Sequence, residues 1–163
     1  MNRSDRQIWV DGEYVPESRS VVSGTSPGLT YGAGCFETLR VNQGVPDDLE
    51  AHLERLSRGL AWLEVDNVFH PVPETVRQVI DELLVRNRLL DRVAVVRIQA
   101  SLQGGRGYAT LEGEEGAPIV IISAAPYSEH RGEYRLKRVQ TTVIPGACRP
   151  ADLKLSNTLH FMK

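Results

Sequence analysis

Two one-sided amphipathic stretches in the middle of the chain constrain its fold most. Leu49, Leu53, Leu56, Leu60 and Leu63 recur at helical spacing, which lays a single apolar band along one side of a helix. Asp47 or Asp48 supplies a capping residue type just ahead of that band. A second helix is predicted to begin near Pro73, a residue suited to the first helical turn. Its stripe is Val76, Val79, Ile80, Leu83 and Leu84. Each band must be buried against another layer, and the flanking segments read as strands. Ile8 to Val15 reads as a hairpin, with Asp11-Gly12 as its type I′ turn. Residues 18 to 34, rich in Ser, Gly and Thr and carrying Pro27, read as loops. Phe36 to Val41 is a short strand closed by the Asn42-Gln43-Gly44 turn, and Val93 to Leu102, Ile119 to Ala125 and Tyr134 to Ile144 are further strands. The order β-β-β-α-α-β-β-β predicts an α+β fold, with helices on a mostly antiparallel sheet.

Domain organisation follows from the polar stretch Tyr127 to Glu133, which carries Gly132. Residues 1–126 are expected to form a small α+β domain, 127–133 a linker, and 134–163 the first strand, loop and helix start of a larger domain. At 163 residues the chain can bury a real core. A net charge of −2 with mixed signs gives no basic stripe for nucleic acid and no polybasic membrane patch. The N-terminus lacks the apolar stretch of a signal peptide, so a cytoplasmic setting is expected. Cys35 and Cys148 are too few for a disulfide scaffold and match no zinc spacing. No metal site is expected.

Four segments carry residues suited to chemistry. Lys154 lies between Leu153 and Leu155, past a Pro/Gly loop. A lysine that forms imines needs a neutral amine, and burial or a nearby cation favours that form. A solvated lysine at a helix start is the ordinary reading of the same residues. Arg55, in Ala51-His52-Leu53-Glu54-Arg55-Leu56, sits beside the leucine stripe, where a planar fork can clamp a phosphate or simply snorkel. Arg106 and Tyr108 lie in Gly104-Gly105-Arg106-Gly107-Tyr108, a loop suited to a carboxylate, although most such loops are plain turns. Glu37 and Thr38 lie in Cys35-Phe36-Glu37-Thr38, where a strand side chain can face a cleft. Cys35 reads as a small buried residue, and His52 as a packing residue.

Three of these segments together resemble the class IV (fold-type IV) pyridoxal-phosphate enzymes. They are Gly32-Ala33-Gly34-Cys35-Phe36-Glu37-Thr38-Leu39-Arg40, Gly104 to Tyr108, and Lys154-Leu155-Ser156-Asn157-Thr158-Leu159. That family includes aminodeoxychorismate lyase and the branched-chain and D-amino-acid aminotransferases. The resemblance implies pyridoxal 5′-phosphate as cofactor, with Lys154 as its Schiff-base and acid/base residue. It implies Arg55 on the cofactor phosphate, and Arg106, Tyr108 and Glu37 toward the substrate. Thr38 matches a threonine beside the reacting substrate. The loop from Gly104 to Tyr108 looks more like the lyase, whereas the acidic Glu37 is common among the aminotransferases. A small amino-acid-like or chorismate-derived substrate and a homodimer are implied as well. In the family, the carboxylate facing the pyridine nitrogen lies downstream of the lysine, so this sequence resembles the N-terminal part of a member. It is expected to be a fragment. The alternatives are a second polypeptide that completes the site and a truncated, non-catalytic module that binds a partner.

Overall fold

The computed structural model describes residues 6–20, 22–65, 70–104, 118–127 and 152–156. The strand expected over 134–144, the linker beyond Tyr127, the helix start after Ser156, and both Arg106 and Tyr108 lie outside these residues.

The first hairpin pairs β1 (Gln7–Val10) with β2 (Glu13–Pro16) across a two-residue turn. Asp11 and Gly12 both take positive φ, 44° and 104°, as a type I′ turn requires. The Asp11 carboxylate accepts from the Val120 N–H at 2.7 Å, which ties the turn to the neighbouring strand. The region expected to be all loop contains a short helix, α1 (Pro27–Thr30). Ser26 accepts from the Leu29 N–H at 3.3 Å, and Pro27 opens the first turn. This capping pair outweighs the loop-rich composition around it.

Strand β3 (Gly34–Asn42) is longer than expected and turns through Gln43-Gly44 into the unanticipated short strand β4 (Val45–Pro46). The helices α2 (Leu49–Trp62) and α3 (Pro73–Arg86) match the two stripes. Asp48 occupies the cap position of α2 but makes no side-chain cap bond. Its backbone is left-handed, with φ 49°, whereas a capping side chain needs extended backbone. Strands β5 (Val93–Leu102) and β6 (Pro118–Pro126) complete the described elements. The described strands form one sheet in the order β2-β1-β6-β5-β3-β4, antiparallel at every described pairing.

Both helices bury their stripes on one face of this sheet. Leu53, Leu56 and Leu60 of α2 and Val76, Val79, Ile80, Leu83 and Leu84 of α3 join Leu39, Val41, Val96, Ile98 and Ile122 in one core. Asn87, just past α3, pins the helix to the sheet: its amide accepts from the Gln7 N–H and donates to the Gln7 carbonyl, each at 2.8 Å.

The segment around Lys154 docks on the free edge of β3. Leu155 pairs with Cys35, the Phe36 N–H donates to the Lys154 carbonyl at 2.9 Å, and the Ser156 N–H donates to the Gly34 carbonyl at 2.8 Å. Leu153 and Leu155 enter the core on either side of the lysine. Gly34 makes this approach possible. A Cβ there would lie 2.5 Å from the Ala100 carbonyl oxygen and 3.1 Å from Ser156 Oγ. Gly34→Ala is therefore expected to destabilise the fold by about 1–3 kcal/mol, read from urea unfolding. A stability equal to wild type would show that the edge tolerates a side chain.

Candidate active site

Alternation along β3 separates the candidate residues between two faces of the sheet. Cys35, Glu37, Leu39 and Val41 are buried toward the helices, while Phe36 and Thr38 fall on the opposite face. Glu37 is therefore a carboxylate inside an apolar layer, paired across the sheet with Ile98. Its side chain has 0% exposure. A buried carboxylate is costly unless donors surround it, and here they come from two directions.

The first source is α2. His52 and Arg55 lie one turn apart on its sheet-facing side. Arg55 Nε donates to Glu37 Oε1, and Nη2 donates to Oε2 at 2.7 Å, a two-pronged fork. His52 Nδ1 lies 2.7 Å from Oε2. Gly59 sets the depth of this contact, one turn further along α2. A Cβ on Gly59 would sit 3.1 Å from the Cβ of Cys35, so the bare backbone lets the helix come down onto β3. Arg55 thus crosses to the sheet, and its contact within the helix is the longer one, Nη2 lying 3.5 Å from His52 Nδ1.

The second source is Lys154. From the β3 edge its Nζ lies 3.7 Å from Glu37 Oε2 and 5.5 Å from the centre of the Phe36 ring. Phe36 and Glu37 are on opposite faces, so the amine sits where both faces meet the sheet edge. The lysine side chain is 37% exposed, so the shelter given by its two leucines is partial.

Burial pushes the Glu37 carboxyl toward a higher pKa. The hydrogen bonds from Arg55 and His52 and the charges of Arg55 and Lys154 outweigh it, leaving Glu37 below the ordinary 4.5. The fork on Glu37 raises the Arg55 pKa against the opposing effect of burial. Cys35 behaves as expected of a small buried residue. Burial, and then the nearby Glu37 charge, push its thiol up to about 12.

The far face carries a polar row that the sequence reading passed over. Arg97 lies opposite Thr38 in the register, with its guanidinium 3.9 Å from the centre of the Phe36 ring. Its Nε donates to the Gln99 side chain at 3.2 Å, and Gln99 donates to Ser101 at 3.1 Å. Burial lowers the Arg97 pKa, and no carboxylate faces it among the described residues. The alternation Arg97, Gln99, Ser101 in an otherwise apolar strand was the available signal. A strand whose second face met only lipid-like core would not carry it. Thr38 and Phe36 thus share their face with a cation, while Glu37 and Arg55 lie beneath. Lys154 is the described candidate that reaches both levels.

The donor set suits an aldehyde-and-phosphate cofactor. Lys154 offers a primary amine at the sheet edge. Arg55 is 33% exposed and uses Nε and Nη2 on Glu37, leaving Nη1 for an anion. Because Glu37 titrates below its ordinary value when folded, the stability it contributes is full above about pH 4.5 and is lost as pH falls through the folded pKa. The urea midpoints of wild type and Glu37→Gln should differ most near neutral pH and converge on acidification. Curves that stay parallel down to the acid limit would contradict the ionised, hydrogen-bonded state of Glu37.

Comparison with known proteins agrees with this architecture. Residues 34–163 match the family described as Amino-transferase class IV. Aminodeoxychorismate lyase of Bacillus subtilis is 36% identical over 94 residues, covering 58% of this chain and 31% of its own length. The aminodeoxychorismate lyase of Vibrio harveyi is 32% identical over 137 residues, covering 83% of this chain and 46% of its own. The chain therefore spans less than half the length of these two relatives. Among solved structures, the branched-chain aminotransferase of Thermoproteus uzoniensis with norvaline superposes with a TM-score of 0.75 at 22% identity, over 92% of this chain and 51% of that one. The α+β fold with its antiparallel sheet is thus that of about half of such an enzyme, and the chain belongs to the amino-transferase class IV family.

Proposed function

We propose that this chain carries the lysine-bearing part of a pyridoxal 5′-phosphate enzyme that acts as a 4-amino-4-deoxychorismate lyase, releasing 4-aminobenzoate and pyruvate. One observation supports the cofactor reading above the others: the Lys154 amine and the Arg55 guanidinium meet at the same buried carboxylate. An amine to hold an aldehyde and a guanidinium to hold a phosphate are thereby held together. The lyase reading rests on the two relatives of that name.

In this reading Lys154 would hold the cofactor through its amine and, when that amine is free, would move a proton at the substrate carbon. Arg55 binds the phosphate with the N–H that Glu37 leaves free. Thr38 positions the substrate from the far face of β3, within the half-buried row that includes Phe36 and Arg97. Arg106 and Tyr108, outside the described residues, take a substrate carboxylate, reaching into the site of a second copy in a homodimer. When bound, the cofactor supplies an electron sink for charge developing at the substrate carbon.

The test uses the protein expressed from its complete coding sequence. Borohydride treatment after loading with pyridoxal 5′-phosphate should leave a cofactor adduct on the Lys154 peptide in mass spectrometry. Lys154→Ala should lose the adduct, and 4-aminobenzoate formation should fall on the order of a thousandfold or more. A wild-type protein without an adduct at Lys154 overturns the cofactor reading. Transfer of the amino group to a 2-oxo acid, with no 4-aminobenzoate formed, replaces the lyase by an aminotransferase.

A further inference from the structure

We propose that Glu37 is a positioning residue: its buried carboxylate sets the Arg55 fork and the Lys154 amine at a fixed relation, so that one anchor places both ends of the cofactor. This rests on the cofactor reading above and gives Glu37 a role other than the substrate contact that the resemblance implies.

The geometry supplies the reasons. A substrate contact needs an accessible carboxylate, and the Glu37 side chain has 0% exposure. Its oxygens are already engaged by Arg55 Nε and Nη2 and by His52 Nδ1, with Lys154 Nζ at 3.7 Å. The donors come from segments far apart in sequence, α2 and the stretch at Lys154, and Glu37 is where they meet. The two-pronged bond fixes the plane of the guanidinium, and hence the direction of its remaining N–H.

Stability alone does not account for an acid at this position. Its neighbours on the helix-facing side of the sheet are Cys35, Leu39 and Ile98. An apolar set replacing Glu37 together with its Arg55 and His52 partners would fill that layer without desolvating charges. Replacing a whole buried pair is often neutral or stabilising, whereas removing Glu37 alone would leave the charge of its partners uncompensated. A group that is costly to bury and that orients two site residues fits the pattern of stability given up for function.

The experiment compares Glu37→Gln and Glu37→Asp with wild type in the complete protein. The readout is the ratio of affinities for pyridoxal 5′-phosphate and for pyridoxal, which lacks the phosphate, measured by absorbance titration. Urea unfolding of the same samples reports folding. The ratio isolates the phosphate contact, so a loss of overall stability does not change it. In Glu37→Gln it should fall by about tenfold or more, the scale of one charge-assisted hydrogen bond. Glu37→Asp keeps the charge but withdraws it by one carbon, and the ratio should fall by a smaller factor.

A wild-type ratio in folded Glu37→Gln overturns the proposal. If that variant does not fold, a wild-type ratio in Glu37→Asp does the same. A raised KM for substrate with an unchanged ratio also overturns it, returning Glu37 to the substrate. Those results leave the cofactor reading standing. A wild-type protein that binds neither probe overturns both.

Discussion

A carboxylate without solvent contact, set among apolar side chains, is the constraint around which this molecule is arranged. Glu37 occupies a helix-facing position of β3, where the residues on either side of it along that face are Cys35 and Leu39. Such a charge persists in the folded state only when surrounded by donors. Satisfying it requires α2 to lie across β3 in one register, and the segment at Lys154 to lie along the β3 edge in another. The site is therefore not added to a finished fold. The same contacts that satisfy the charge also determine where the helix and the lysine sit.

Two glycines give these contacts their short range. Gly59 lets α2 approach Cys35, and Gly34 admits the backbone of residues 154–156 beside β3. Each replaces a side chain that the neighbouring backbone or side chains would have to avoid. Leu153 and Leu155 then hold the edge segment by burial in the core, so the lysine between them is anchored by its neighbours rather than by its own charge. A side chain held on a paired, packed segment loses little precision to loop motion.

The two faces of the sheet divide the chemistry. The helix side carries Glu37 with Arg55 and His52, and the other carries Phe36, Thr38, Arg97 and Gln99. Lys154 lies at the edge between them. Under the proposed function this separates cofactor anchoring from substrate positioning, and the amine works at their junction. Membership in the amino-transferase class IV family is consistent with such a division.

Local pattern determined much of the architecture. The spacing of Leu53, Leu56 and Leu60, and of Val76, Ile80 and Leu83, determined two helices, because a 3.6-residue period places those side chains on one side whatever surrounds them. Asp11-Gly12 determined a tight hairpin, because few residues accept positive φ. Resemblance marked Lys154 and Arg55 as residues of interest. Only the tertiary structure decided what those residues do to one another. Resemblance put Glu37 toward a substrate, and His52 read as packing. Neither the burial of Glu37 nor its bond to His52 was legible, because a single strand does not show which of its faces a helix will cover. Arg97 went unmarked for the same reason. Burial, and the partners that together with it set the sign of each pKa shift, depend on elements distant in sequence. Glu37 and Lys154 are separated by most of the chain, and only the folded sheet edge brings them within 3.7 Å.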